Sequence, residues 1–164
     1  MSVSIEIEEL LAYSDHERAK WMVWVTADPA RLALPFQAGG RFPTLAGLLD
    51  HLFLVERRHL ARLQGSTPPE TSGVAPGDAK ALFEYAALVR ADLRRYVEDM
   101  DEPDAAVVLP ITVASGSFSM TKRVLTAHIL LHEIRHLGQV AFAARLAGHE
   151  PPGEHDYFYF RRLT

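Results

Sequence analysis

The chain has 164 residues and a mass of 18.3 kDa, one domain's worth at roughly 150 residues per domain, and size scaling lets it bury about 69% of its open-chain surface. Hydrophobic residues are 48% and charged residues 23%, which excludes disorder over most of the length. Lys plus Arg is 17 against 21 Asp plus Glu, a net charge of −4, and cysteine is absent; this excludes electrostatic nucleic-acid binding as the main task, disulfides, thiolate ligands, iron–sulfur clusters and a cysteine nucleophile.

No apolar run approaches the roughly 20 residues that span a bilayer, so no membrane association is expected. The opening residues lack the basic flank of a secretory signal. Absence of cysteine fits a reducing compartment. The expected location is cytoplasmic.

Four stretches carry helical periodicity. The first covers residues 5–27, with Leu11, Trp21 and Val25 among its apolar anchors, and ends at Asp28-Pro29, since proline disfavours helix in the preceding residue. The second is capped by Thr44 and runs to Leu63 on a stripe through Leu48, Leu52 and Val55. Residues 64–69, rich in Gly and Pro, stop it. The third starts near residues 76–78 and runs to Met100, with Leu82, Tyr85, Val89 and Leu93 on its stripe. Residues 105–119 hold β-branched side chains around Pro110, predicting an extended piece or edge hairpin that turns at Ser115-Gly116. The fourth helix runs from Met120 or Thr121 to Ala147, with Gly148 as its C′ residue. The aromatic tail from Pro151 to Thr164 is expected to fold back as a flap, because Tyr157, Phe158, Tyr159 and Phe160 are costly to expose together. The reading is a single all-α domain over residues 1–164, a four-helix bundle with a short extended or hairpin segment before the last helix. The connections at residues 28–42 and 101–119 are long enough to cross the bundle.

The fourth helix carries His128, His132 and His136, each four residues apart. Each step of four rotates about 40°, so all three share one face. That face also carries Leu125 and Ala143, so it is a core-seeking stripe with imidazoles in it. An i, i+4 histidine pair can converge on one ion at about 2.0–2.1 Å. A third ligand must come from another helix, and His51 in the second helix is the best candidate. Three histidines with one open position suit a catalytic metal. The competing reading is a row of satisfied core or groove histidines, although each buried imidazole then needs partners for both nitrogens.

Three segments carry a family resemblance. His128-x3-His132-x3-His136-Leu-Gly-Gln139, followed by Arg145-x2-Gly148, resembles the terminal helix of the DinB/YfiT-like superfamily. His51-Leu-Phe-Leu-Val-Glu56-Arg-Arg-His59-Leu resembles its second helix, whose first histidine is a ligand. Tyr13-Ser14-Asp15-His16 sits where the first helix of the family often has an aromatic cluster. The resemblance spans nearly the whole chain. It implies a bundle, commonly a homodimer, with a divalent metal (Zn, Ni or Fe) held by His51, His132 and His136. His128 then becomes a spare ligand or a group beside the ligands, as do Gln139 and His16. The chain departs from the commonest pattern in having Arg135 before His136, and His59 where an aromatic is frequent.

Characterised members of the family include transferases that use a low-molecular-weight thiol. With no cysteine here, such a thiol must come from outside the chain. Metal-assisted thiol transfer to a small-molecule substrate, or its isomerisation, is the expected function, with hydrolysis close behind. Arg18, Arg135 or Arg145 could hold an anionic group. Asp15, Glu17, Asp50 and Glu56 could orient imidazoles. A second reading is a di-iron carboxylate bundle built on Glu17, Glu84, Glu56-x2-His59 and Glu133-x2-His136. It leaves His51, His128 and His132 unexplained. A third is a non-enzymatic, stress-related metal-binding module. His149 and His155 are expected in solvent.

Overall fold

The computed structural model describes residues 5–36, 40–113 and 116–160. The molecule is mostly helical: α1 (Ile7–Ala27), α2 (Leu45–Leu63), α3 (Ala79–Glu98), a single turn α4 (Glu102–Ala105), strands β1 (Val108–Val113) and β2 (Gly116–Thr121), α5 (Lys122–Leu146) and a terminal turn α6 (Tyr157–Phe160). A five-residue 3-10 helix, Pro29–Ala33, follows α1.

Local chemistry sets most boundaries. Side-chain oxygens of Thr44, Asp78, Asp101 and Thr121 each accept a backbone N–H in the first turn of α2, α3, α4 and α5, satisfying donors that a helix start leaves free. α1 has no such cap but carries Glu8 and Glu9 in its first turn, where the helix dipole favours negative charge. α5 closes on Gly148, whose φ of 80° is left-handed. The His149 amide donates to the Ala144 carbonyl and the Gly148 amide to that of Arg145, the two bonds of a Schellman stop.

The four long helices pack in the order α1, α5, α2, α3, and α3 returns to α1. Their interior has two apolar clusters. One holds Trp21, Leu49, Leu52, Phe53, Leu82, Phe83, Leu137 and Val140. The other holds Leu11, Leu60, Leu63, Leu93, Val97, Leu125 and Ile129. Each long helix contributes to both, which fixes its direction. α1 and α5 run from the second cluster to the first; α2 and α3 run the opposite way.

This pattern corrects the expected crossovers. Residues 28–44 join helix ends at one cluster, and the link from α3 to α5 joins ends at the other. The segment that travels the length of the helices is 64–78, between the parallel α2 and α3. Arg58 holds it by donating to the Pro69 carbonyl at 2.8 Å and to the Glu70 carbonyl at 2.5 Å, and Ser72 donates to Asp50.

The extended segment is an antiparallel hairpin, with Pro110 opposite Ser119 and Val113 opposite Gly116. Its predicted turn residue Ser115 lies outside the described residues. Ala105 falls in α4 rather than in the strand, because Asp101 and Pro103 favour a helical turn. The tail folds back only in part. Tyr13 meets Tyr157 at 5.1 Å and Phe160 at 5.6 Å between ring centroids, while Phe158 stays 75% exposed. Arg161 to Thr164 lie outside the described residues.

Between the apolar clusters lies a buried polar layer drawn from every long helix. Arg18 Nε donates to Glu133 at 2.7 Å, Arg90 Nε to Glu56 at 2.9 Å, and Ser14 Oγ to Glu133 at 2.5 Å. Arg18 also pairs with Glu56, and Arg90 with Glu133.

Candidate metal centre

α2 and α5 are antiparallel neighbours, and the seam between them is where the histidines meet. One imidazole nitrogen from each of His51, His132 and His136 lies within 4.8 Å of the other two. The Nε2 atoms of His132 and His136 are 3.1 Å apart. Two ligands about 2.0–2.1 Å from one ion stand roughly 2.9 to 3.3 Å apart, for octahedral and tetrahedral angles respectively. The donor set therefore fits a divalent cation. Across the seam, the His51 ring lies 5.5 Å from His132 and 5.4 Å from His136 between centroids, and Phe42 packs on it at 4.5 Å.

The chemistry of the rings agrees with that use. Burial, reinforced by Arg41 and His136, pushes His51 down to about 4. Burial and the neighbouring imidazoles push His132 down to about 3. His136 is lowered too, chiefly by burial, although Gln139 works against it. Neutral imidazoles at physiological pH present the lone pairs that ligation needs. Gln139 Oε1 stands 2.5 Å from His136 Nδ1. As an acceptor it fixes the proton on Nδ1 and leaves Nε2 free to ligate.

The seam opens into a cleft of about 530 Å³. His59 and His128 lie further along it, their rings perpendicular at 5.3 Å. Burial depresses His59 to about 4. Arg135 lines the cleft, as do Arg41, Arg58 and Arg62, which the sequence reading did not single out. The signal was present: residues 51, 55, 58 and 62 share one face of α2 at helical spacing.

Other expected positions fall elsewhere. His16 is exposed on α1, with its ring 5.3 Å from that of Phe160, and does not line the cleft. Residues 13, 14, 17 and 18 of α1 face inward, which turns 16 out. Arg18 is buried in the polar layer, not free for a substrate. Of the proposed orienting carboxylates, Asp15 pairs with Arg90 and Arg94, Glu17 with Lys20 and His155, Glu56 with Arg18 and Arg90, and Asp50 accepts from Ser72. The di-iron template does not assemble either. Guanidinium groups of Arg18 and Arg90 sit between Glu56 and Glu133, and Glu84 pairs with Lys80 at the surface. His155 is not in solvent: it stacks on Trp21 at 5.2 Å and meets Glu17 at 2.5 Å. His149 packs edge-on against Trp24 at 6.0 Å.

The DinB family model matches residues 1–162. The chain belongs to the DinB family. No curated protein matches it.

Proposed function

We propose that this DinB-family chain is a metal-dependent enzyme with a mononuclear centre on His51, His132 and His136. It transfers an external low-molecular-weight thiol to a small substrate, or isomerises or hydrolyses that substrate. We read the four long helices and the returning segment 64–78 as a four-helix bundle with one crossover, working in the cytoplasm as a homodimer. The observation that carries the reading is the convergence of three neutral imidazoles at the edge of an open cleft. A sealed site would favour a structural metal.

A divalent ion held by His51, His132 and His136 would supply Lewis acidity and lower the pKa of a thiol or water. The chain's own residues do the rest. Gln139 holds the proton on His136 Nδ1 and so aims Nε2 inward. Phe42 packs against the His51 ring and helps hold its orientation. In transfer, the thiol sulfur forms a bond to an electrophilic carbon of the acceptor, and the leaving group departs with the bonding electrons. The thiol proton passes to an imidazole nitrogen of His128, which lines the same cleft.

The test is a panel of thiols with electrophilic acceptors, run beside ester and amide hydrolysis on the zinc-, nickel- and iron-loaded chain. Turnover that disappears in His132→Ala supports the reading. Silence in every assay with metal bound overturns it and favours a non-enzymatic metal-binding module.

A further inference from the structure

The cleft lining is chemically one-sided. It holds the guanidinium groups of Arg41, Arg58, Arg62 and Arg135 and, among the described residues, no carboxylate, in a chain whose net charge is −4. Elsewhere the described arginines are mostly neutralised: Arg18, Arg57, Arg90, Arg94, Arg95 and Arg123 all pair with acids. In the cleft, Arg58 is braced by two backbone carbonyls of the crossover segment, and Arg41 lies over the Phe42 ring, 5.1 Å from its centroid. Arg62 lies close enough to Arg58 for like-charge repulsion to lower it, after burial. Clustered cations with no anion between them repel one another, so the arrangement calls for a counter-charge from outside.

His59 also lines the cleft and is 8% exposed. The volume of the cleft lies within the range of roughly 300–1,000 Å³ that small-molecule sites occupy.

We infer that the substrate accepted beside the histidine centre is a small organic anion, carrying a carboxylate or phosphate group held by arginines of the cleft lining, Arg62 and Arg135 among them. Guanidinium recognises both groups by the same planar pairing. The inference deepens the proposed function and rests on it for where the reacting atom lies. The arginines contact the substrate and set specificity; they are not assigned to the reacting bond.

Calorimetric titration of the metal-free and zinc-loaded chain with succinate, inorganic phosphate and the neutral diamide succinamide tests it. At least one anion is expected to bind both forms, with succinamide roughly ten-fold weaker or more. Preference for succinate assigns a carboxylate, and preference for phosphate a phosphoryl group. Arg62→Gln and Arg135→Gln should each weaken the preferred anion roughly ten- to hundred-fold without changing zinc content, while Arg123→Gln on the far surface should not. Equal binding of succinamide, or anion binding indifferent to both cleft substitutions, overturns the inference while leaving the metal centre intact. Anion binding by a chain that takes up no zinc sustains this inference and overturns the metal reading.

Discussion

Gln139 Oε1 and His136 Nδ1 lie 2.5 Å apart, one turn of α5 joining them. The contact fixes which nitrogen of His136 faces the seam. Partners of this kind commonly change metal affinity about 10- to 100-fold when lost. Gln139→Leu keeps the helix and removes the acceptor. We expect zinc affinity to fall about ten-fold or more with little change in stability, because Gln139 is exposed. Competition against a chromophoric chelator reads the affinity, and an unchanged value would show that the contact is incidental.

The ligand assignment itself predicts a sharper pattern. His51→Ala and His132→Ala should each cut metal content per folded chain to a small fraction of wild type. His155→Ala should not, although it loses the Trp21 stack and the Glu17 contact and some stability with them. Elemental analysis after gel filtration checks this. Equal metal in all four proteins would refute the assignment.

The site was more legible than the topology around it. His128, His132 and His136 repeat at helical spacing, and a rigid helix leaves them no option but one face. Bringing His51 to them needs only that α2 and α5 be antiparallel neighbours. The polar layer was not legible, because the sequence offers Arg18 as an anion holder and Glu56 and Glu133 as metal-site carboxylates, and spacing alone does not pair them with one another or with Arg90. Only packing shows that their charges cancel in the interior. The crossover was misplaced for a similar reason. Residues 64–78 carry turn chemistry, and turn chemistry marks a helix stop without saying where the chain goes next. What decides is the pair of apolar clusters that α3 must reach. His155 was placed in solvent because its neighbours are Pro, Gly and Glu, and the Trp21 face that captures it comes from 134 residues earlier in the chain.

Metal occupancy should depend steeply on acidity. A free imidazole titrates near 6.5 and must be deprotonated to ligate. Burial holds His51 and His132 neutral well below that, down to about 4 and 3. Occupancy at limiting zinc should therefore survive from pH 7 to about pH 6 and fall as the pH approaches 4, in step with proton uptake. Equilibrium dialysis across this range reads it. Full retention at pH 3 would mean that groups other than histidine hold the ion.

The buried layer makes an independent prediction about stability. Burial alone would raise the Glu133 carboxyl, but Arg18 and Arg90, with the Ser14 hydrogen bond, bring it down from 4.5 to about 2. A depressed acid favours the folded state above its unfolded value, and that contribution is lost as pH falls through the folded one. Glu133 thus supports the fold fully above about pH 5 and loses its effect between roughly pH 4.5 and 2. Urea midpoints measured across that window should decline, and Glu133→Gln should flatten the decline. At neutral pH the same substitution leaves Arg18 and Arg90 with Glu56 and Asp15 as their remaining acids. Breaking one partner of a buried pair costs about 3–5 kcal/mol, so the neutral-pH loss should be of that size. Adding Arg18→Met restores the balance of one guanidinium to one carboxylate at Arg90 and Glu56, and should recover part of the loss. If the double variant is no more stable than Glu133→Gln alone, the charges are not balanced against each other as the geometry implies.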